Sequence, residues 1–242
     1  MLEDKTVNQI QPEFKTAHLI ESIQVCIQNG ERLLNDAERV KDWLESAEVR
    51  IVLAMAAQEE FAKAFLLCLV RDGILPWSRE LVRAMNDHAC KHLVGILIEY
   101  CDPHCETIEE LRDIYRAEYE LGDQLPPHVS SALNLLLFEK MEKWRSPNWF
   151  WIDKPDYDQK SKRIAEGKRD KIRQKALYVS IGQDGRVTSH PSGVSMDDAN
   201  AESDLAGRYR WFVKSLNEGG VGNTPGYEKL INVVKMIFET NN

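Results

Sequence analysis

The sequence predicts an all-α protein, an up-and-down helical bundle with a small β-hairpin insertion and C-terminal helices. Three observations carry this. Apolar residues recur at helical spacing over most of the first 146 positions, as in Ile20, Ile23, Ile27, Leu33, Leu34, Ala37 and Val40. Breakers fall mostly between such runs, at Gly73, Pro76, Pro103 and Pro126-Pro127. Strand-like alternation is confined to Ala176–Ser180 and Arg186–Thr188, on either side of the turn Gly182-Gln183-Asp184-Gly185. With 242 residues and 43% hydrophobic content, the chain has the material for a core of its own.

The elements follow in order. A first helix runs from about Phe14 to Leu44, and Gly30 inside it marks a close helix contact or a local break. A second spans about Ala47 to Arg71 and stops at Gly73. A third, opened by Pro76, runs from Trp77 to about Tyr100; a fourth from Thr107 to about Leu121; a fifth from His128 to about Trp144. After Pro147 come an aromatic knot, Trp149-Phe150-Trp151, read as a packing anchor, and a basic helix from about Gln159 to Lys175. The short hairpin follows, then helices over Met196–Leu216, started by Asp197-Asp198, and Tyr227–Glu239. This divides the chain into a bundle over 14–146 and a C-terminal extension over 147–242, packed on the bundle.

Composition narrows the function. The N-terminus Met1-Leu2-Glu3-Asp4-Lys5 is not a secretory signal, and Arg50, Glu59, Glu60 and Lys63 interrupt the longest apolar stretch. Five cysteines, an odd number, read as reduced thiols. The expectation is a cytoplasmic protein without a membrane span. The net charge is −8, yet residues 151–175 carry nine basic side chains against five acidic ones. This stretch is either a docking strip for a polyanion or a solvated helix face.

The second helix is apolar almost all round, the mark of a central buried helix. Gln58, Glu59, Glu60 and Lys63 interrupt it. Glu59 and Lys63 stand at i,i+4 and form the bland pair, which leaves Glu60 as a carboxylate in need of a distant cation, donor or metal. In the third helix, Arg83, Asp87 and Lys91 at i, i+4 and i+8 read as a charge ladder, with His88 between them. His88 is either a structural residue or a proton-transfer group, and Arg83 has the fork that grips a phosphate. His88-x3-His92 and Cys101-x3-Cys105 offer four potential ligands for zinc, a minor alternative, and the Glu-x-x-His repeats of a di-iron bundle are absent.

Gln58-Glu59-Glu60-Phe61-Ala62-Lys63-Ala64 resembles the A-x-E-E-x-x-K signature of HEPN-type helical domains. The upstream block Asn29-Gly30-Glu31-Arg32-Leu33-Leu34-Asn35-Asp36-Ala37 and the downstream block Asp87-His88-Ala89-Cys90-Lys91 resemble the AbiV branch, a group of abortive infection proteins. The basic run Arg169-Asp170-Lys171-Ile172-Arg173-Gln174-Lys175-Ala176-Leu177-Tyr178-Val179 is similar to that family's stretch ending in A-L-Y-V.

The resemblance implies an HEPN-like helical bundle that commonly dimerises, a role in defence against phage, and no metal or other cofactor. Many HEPN proteins are metal-independent ribonucleases with an R-x(4–6)-H motif, which Arg83 to His88 match. On that reading Arg83, His88, Glu60, Lys63 and Lys91 are catalytic, with Glu59 and Asp87 in support. Lys168, Arg169, Lys171, Arg173, Lys175 and Tyr178 bind RNA. The alternative is a non-catalytic dimeric module that blocks a phage or host protein in translation. Ala84, where active members place a polar residue after the Arg, and the acidic net charge point that way.

Overall fold

A computed structural model describes residues 16–44, 46–102, 125–153, 155–222 and 224–239. The described residues are all-α around one small hairpin, as the periodicity predicts. Helices α1 (Thr16–Leu44) and α2 (Ala47–Arg71) fold back on each other. Ser46 starts α2, its hydroxyl accepting from the Val49 N–H, a cap worth about 1 kcal/mol. Because α2 is apolar on nearly every face, other helices cover it. They are α1, α4 (His88–Cys101), α7 (Lys168–Leu177) and α8 (Met196–Asn217).

Two expected helices are broken. The one expected over Trp77–Tyr100 is α3 (Arg79–Asn86) followed by α4, with Asp87 extended between them. The Asp87 carboxylate accepts from the Cys90 N–H at 2.9 Å, so this residue ends α3 and caps α4. Arg83 and Lys91 therefore lie on different helices, and the ladder through Asp87 does not form. The expected basic helix is α6 (Gln159–Ala165) and α7, separated at Gly167, whose φ of 76° is the left-handed conformation that glycine adopts without strain.

The fifth predicted helix is α5 (Pro127–Asn134), a π-helical stretch Leu135–Glu142 and a closing turn Lys143–Arg145. The helix expected over Thr107–Leu121 lies outside the described residues. Strand β1 (Ser180–Ile181) pairs antiparallel with β2 (Val187–Ser189), and the segment 176–177 expected as strand is instead the end of α7. Ser195 caps α8 through the Asp198 N–H, with Asp197 and Asp198 in the first turn. The last helix is α9 (Pro225–Glu239).

One core joins these pieces, and side chains from both sides of residue 146 share it. Ile23 and Ile27 come from α1, Phe61 and Phe65 from α2, Leu93 and Leu97 from α4, Phe212 from α8 and Leu230 from α9. Helix α1 passes Gly30 unbroken; a Cβ there would stand 2.7 Å from the Phe61 ring, so this glycine marks the close contact. Trp149 and Trp151 pack on Phe138, and the Trp151 indole donates to Glu139 at 3.0 Å. A smaller cluster of Ala47, Ile51, Met55, Ala176 and Ala199 seats the end of α7 on the start of α2.

Candidate functional site: a buried carboxylate with four basic partners

The placement of α7 follows from its sequence. Arg169, Arg173 and Ala176 stand at i, i+4 and i+7 and form one stripe. Ala176 packs near Ile51 and Met55. Seven residues earlier, Arg169 donates to Gln58 Oε1 at 2.8 Å and pairs with Glu202, while Gln58 Nε2 donates to Glu202 Oε2 at 2.7 Å. The two helices thus run antiparallel, and Arg173 falls opposite Glu59. Lys168, Lys171 and Lys175 point away and are exposed, as is Tyr178 beyond them.

Glu59 is the centre of the arrangement and is only 5% exposed. Lys91 Nζ donates to its Oε2 at 2.6 Å, and His88 Nδ1 lies 2.8 Å from both carboxylate oxygens. Arg173 Nη1 stands 3.5 Å from Oε1, and His92 Nε2 stands 3.6 Å from it, beyond hydrogen-bond reach. Four basic side chains from α4 and α7 thus converge on one acid from α2. The expectation about the two neighbouring acids is reversed. Glu60 makes the local pair, with Lys63 at 2.6 Å and i,i+3 spacing, while Glu59 takes the distant partners. Spacings of three and four both bring helical side chains together, and adjacent residues point about 100° apart.

The hydrogen bonds set the state of His88. Arg173 Nη2 lies 3.1 Å from His88 Nε2, and a guanidinium has donors only. Nε2 therefore accepts, and Nδ1 carries the proton donated to Glu59. The His88 side chain is 41% exposed, so an imidazole oriented by a buried carboxylate reaches the surface. Arg173 also pairs with Asp170 at 2.6 Å.

Arg83 is not in this group. It is exposed on α3, its guanidinium 4.3 Å over the Trp144 ring. Glu60 and Lys63 belong to a different face of α2, and Asp87 caps α4. Sequence reasoning missed Gln58 and Glu202 as the residues that hold α7, and Asp170 as the partner of Arg173 within it. The i,i+4,i+7 stripe of Arg169, Arg173 and Ala176 was the available signal for the helix itself.

His92 is buried, and burial pushes its imidazole well below the ordinary value; the charges of Arg169, Lys91 and Arg173 push the same way. The unfolded chain then takes up the proton first, near pH 6.5. This contribution to stability is present above that pH and is lost as pH falls toward the folded value. Urea unfolding is expected to show stability falling below about pH 6.5, by up to about 1.4 kcal/mol per pH unit for this one proton. His92→Gln is expected to flatten that slope relative to the wild type, and an unaltered slope would remove His92 from the account. His128 is also lowered, chiefly by burial, so the comparison of the two proteins isolates His92.

Burial pushes the Cys68 thiol up to about 12 and raises that of Cys90, so both are unreactive core groups. Among the described residues, no three His, Cys, Asp or Glu side chains are arranged to hold a metal ion, and Cys105 of the zinc alternative lies outside them. Among the described residues, no helix is long and apolar enough to cross a membrane. A cavity of about 330 Å³ is lined by Pro155, Asp156, Tyr157 and Lys162, none of which belongs to the Glu59 group.

The model of the HEPN AbiV family matches residues 18–211, from α1 into α8. No curated protein and no solved structure matches the chain. The matched span holds Glu59, His88, Lys91, Arg169 and Arg173, together with the helices that position them. The chain belongs to the AbiV family of HEPN-type abortive infection proteins.

Proposed function

We propose that this protein is a metal-independent endoribonuclease acting in abortive infection, with His88 as its proton-transfer group. The observation that carries the reading is His88 itself: Nδ1 is held by the buried Glu59 carboxylate, and the ring is partly exposed with a lone pair on Nε2. That is the orientation a general base needs. The 2′-hydroxyl of RNA gives its proton to Nε2, and its oxygen attacks the adjacent phosphorus. The bond from phosphorus to the 5′-oxygen breaks, and that oxygen takes a proton from solvent. A 2′,3′-cyclic phosphate and a 5′-hydroxyl remain.

Exposed Lys168, Lys171 and Lys175 on the outer side of α7 would hold the RNA backbone, giving salt-sensitive binding. We place the enzyme in the cytoplasm as a homodimer, on the habit of the family. The test is cleavage of RNA by purified protein in EDTA, with end-group analysis. His88→Ala is expected to lower turnover by roughly 100-fold or more.

The second reading is a non-catalytic module that binds and blocks a phage or host protein. It is favoured by Arg83, which is engaged on Trp144 rather than on His88. Wild-type protein that cuts no RNA, alone or with phage lysate, would decide for it.

A further inference from the structure

We propose that Arg173, from α7, is the guanidinium that touches the scissile phosphate, in the place the R-x4-H pattern gives to Arg83. The proposal rests on the ribonuclease reading and names a second catalytic residue within it. A phosphate being attacked gains negative charge on its non-bridging oxygens, and a fixed cation within reach of the base must meet that charge.

The cations near His88 can be compared one by one. Lys91 is committed: it is 5% exposed and its ammonium is 2.6 Å from Glu59. Lys63 is paired with Glu60. Arg83 lies over Trp144 on the far side of the helix break at Asp87. Arg169 is tied to Gln58 and Glu202. Among the described residues, only Arg173 directs a guanidinium nitrogen at His88 Nε2, at 3.1 Å, which is the atom that takes the 2′-proton.

The contact has a further consequence. A donor seated on Nε2 occupies the lone pair that a substrate hydroxyl needs. A phosphate entering beside His88 offers Arg173 a charged acceptor in place of the neutral His88 nitrogen, with the pairs to Asp170 and Glu59 kept, and the exchange favours the phosphate. Arg173 then swings from Nε2 to the non-bridging oxygens, and the base is exposed by the same movement. Asp170, on the same helix, and Glu59 tether the guanidinium, so the movement is short. Because α7 is anchored at both ends, by Ala176 and by Arg169, only the side chain has to move.

The experiment is steady-state cleavage of a short RNA in EDTA by wild type, Arg173→Ala and Arg173→Lys, with Arg186→Ala on the exposed hairpin as control. The expected result is a fall in kcat of roughly 100-fold in Arg173→Ala with KM changed far less. Low concentrations of guanidinium chloride are expected to recover part of that turnover. Arg173→Lys is expected to recover little, because an ammonium lacks the fork. Thermal unfolding checks that each variant is folded.

Turnover kept in Arg173→Ala would overturn the assignment, and loss of turnover in Arg83→Ala beside it would return the role to Arg83. That pair of results leaves the ribonuclease reading intact. A wild type that cleaves nothing removes both. A readout independent of turnover is the ring ¹⁵N spectrum of His88. Adding the same RNA with 2′-deoxy sugars is expected to shift Nε2 as Arg173 leaves it, and a binding isotherm without that shift would count against the swing.

Discussion

Glu59→Ala is expected to lower the unfolding free energy by about 3–5 kcal/mol. The carboxylate is 5% exposed, and Lys91 beside it has a side chain only 6% exposed. Removing the acid leaves a buried ammonium without its counter-charge, and it takes from His88 and Arg173 the group that sets their positions. The neighbouring Glu60 provides the contrast. It pairs with Lys63, both side chains are more open to solvent, and Glu60→Ala is expected to cost about 1 kcal/mol or less. Urea unfolding of the two variants checks the difference, and equal costs would refute the central place given to Glu59.

The double variant Glu59→Ala with Lys91→Met separates causes. Replacing both members of a buried ion pair by apolar groups is often close to neutral. The pair of changes is therefore expected to recover a large part of the stability that Glu59→Ala alone loses, with a coupling well above 1 kcal/mol in the double-mutant cycle. Activity is expected to stay low in the double variant, because His88 has still lost its acceptor. Stability and turnover then part company, which a purely structural role for Glu59 would not produce.

The same two carboxylates mark where the sequence could be read and where it could not. The apolar run around Gln58-Glu59-Glu60 makes α2 central, and the structure buries it on nearly every side. Which of two adjacent acids faces α4 and α7 depends on the rotation of α2 against helices more than twenty residues away in sequence. Nothing local encodes that angle, and the bland i,i+4 pair with Lys63 pointed to the wrong one. The breaks at Asp87 and Gly167 were legible in principle. Aspartate three residues before Cys90 is a capping position, and a glycine inside the basic stretch, between Glu166 and Lys168, is a stop. Reading each stretch as one continuous helix passed over both. Ranking Arg173 with the other basic residues of α7 missed its direction, which the stripe through Arg169 and Ala176 carries. The π-helical stretch at Leu135–Glu142 has no residue pattern that announces it.

Helix α4, which holds His88, Lys91 and His92, is held against α8 at one tight contact, and Gly95→Ala is expected to cost about 2–4 kcal/mol. A Cβ at Gly95 would stand 2.5 Å from the Tyr209 hydroxyl and 3.2 Å from two ring carbons. Tyr209 is buried, and its hydroxyl donates to Glu99 at 2.8 Å. Burial, with the Glu99 carboxylate adding to it, raises the phenol well above its ordinary value, so it remains a donor at neutral pH. The added methyl has to displace a ring that has nowhere to go, and the hydrogen bond to a charged acceptor is lost with the displacement. Helix propensity returns about 1 kcal/mol, too little to offset the two costs. Tyr209→Phe removes the atom at 2.5 Å and leaves the ring carbons at 3.2 Å, a gap that a few tenths of an ångström relieve. Glu99 keeps Lys160 at 3.3 Å. The double variant Gly95→Ala, Tyr209→Phe is thus expected to melt above Gly95→Ala alone, even though Tyr209→Phe by itself destabilises. Strict additivity in the thermal cycle would mean that the hydroxyl is not what Gly95 makes room for.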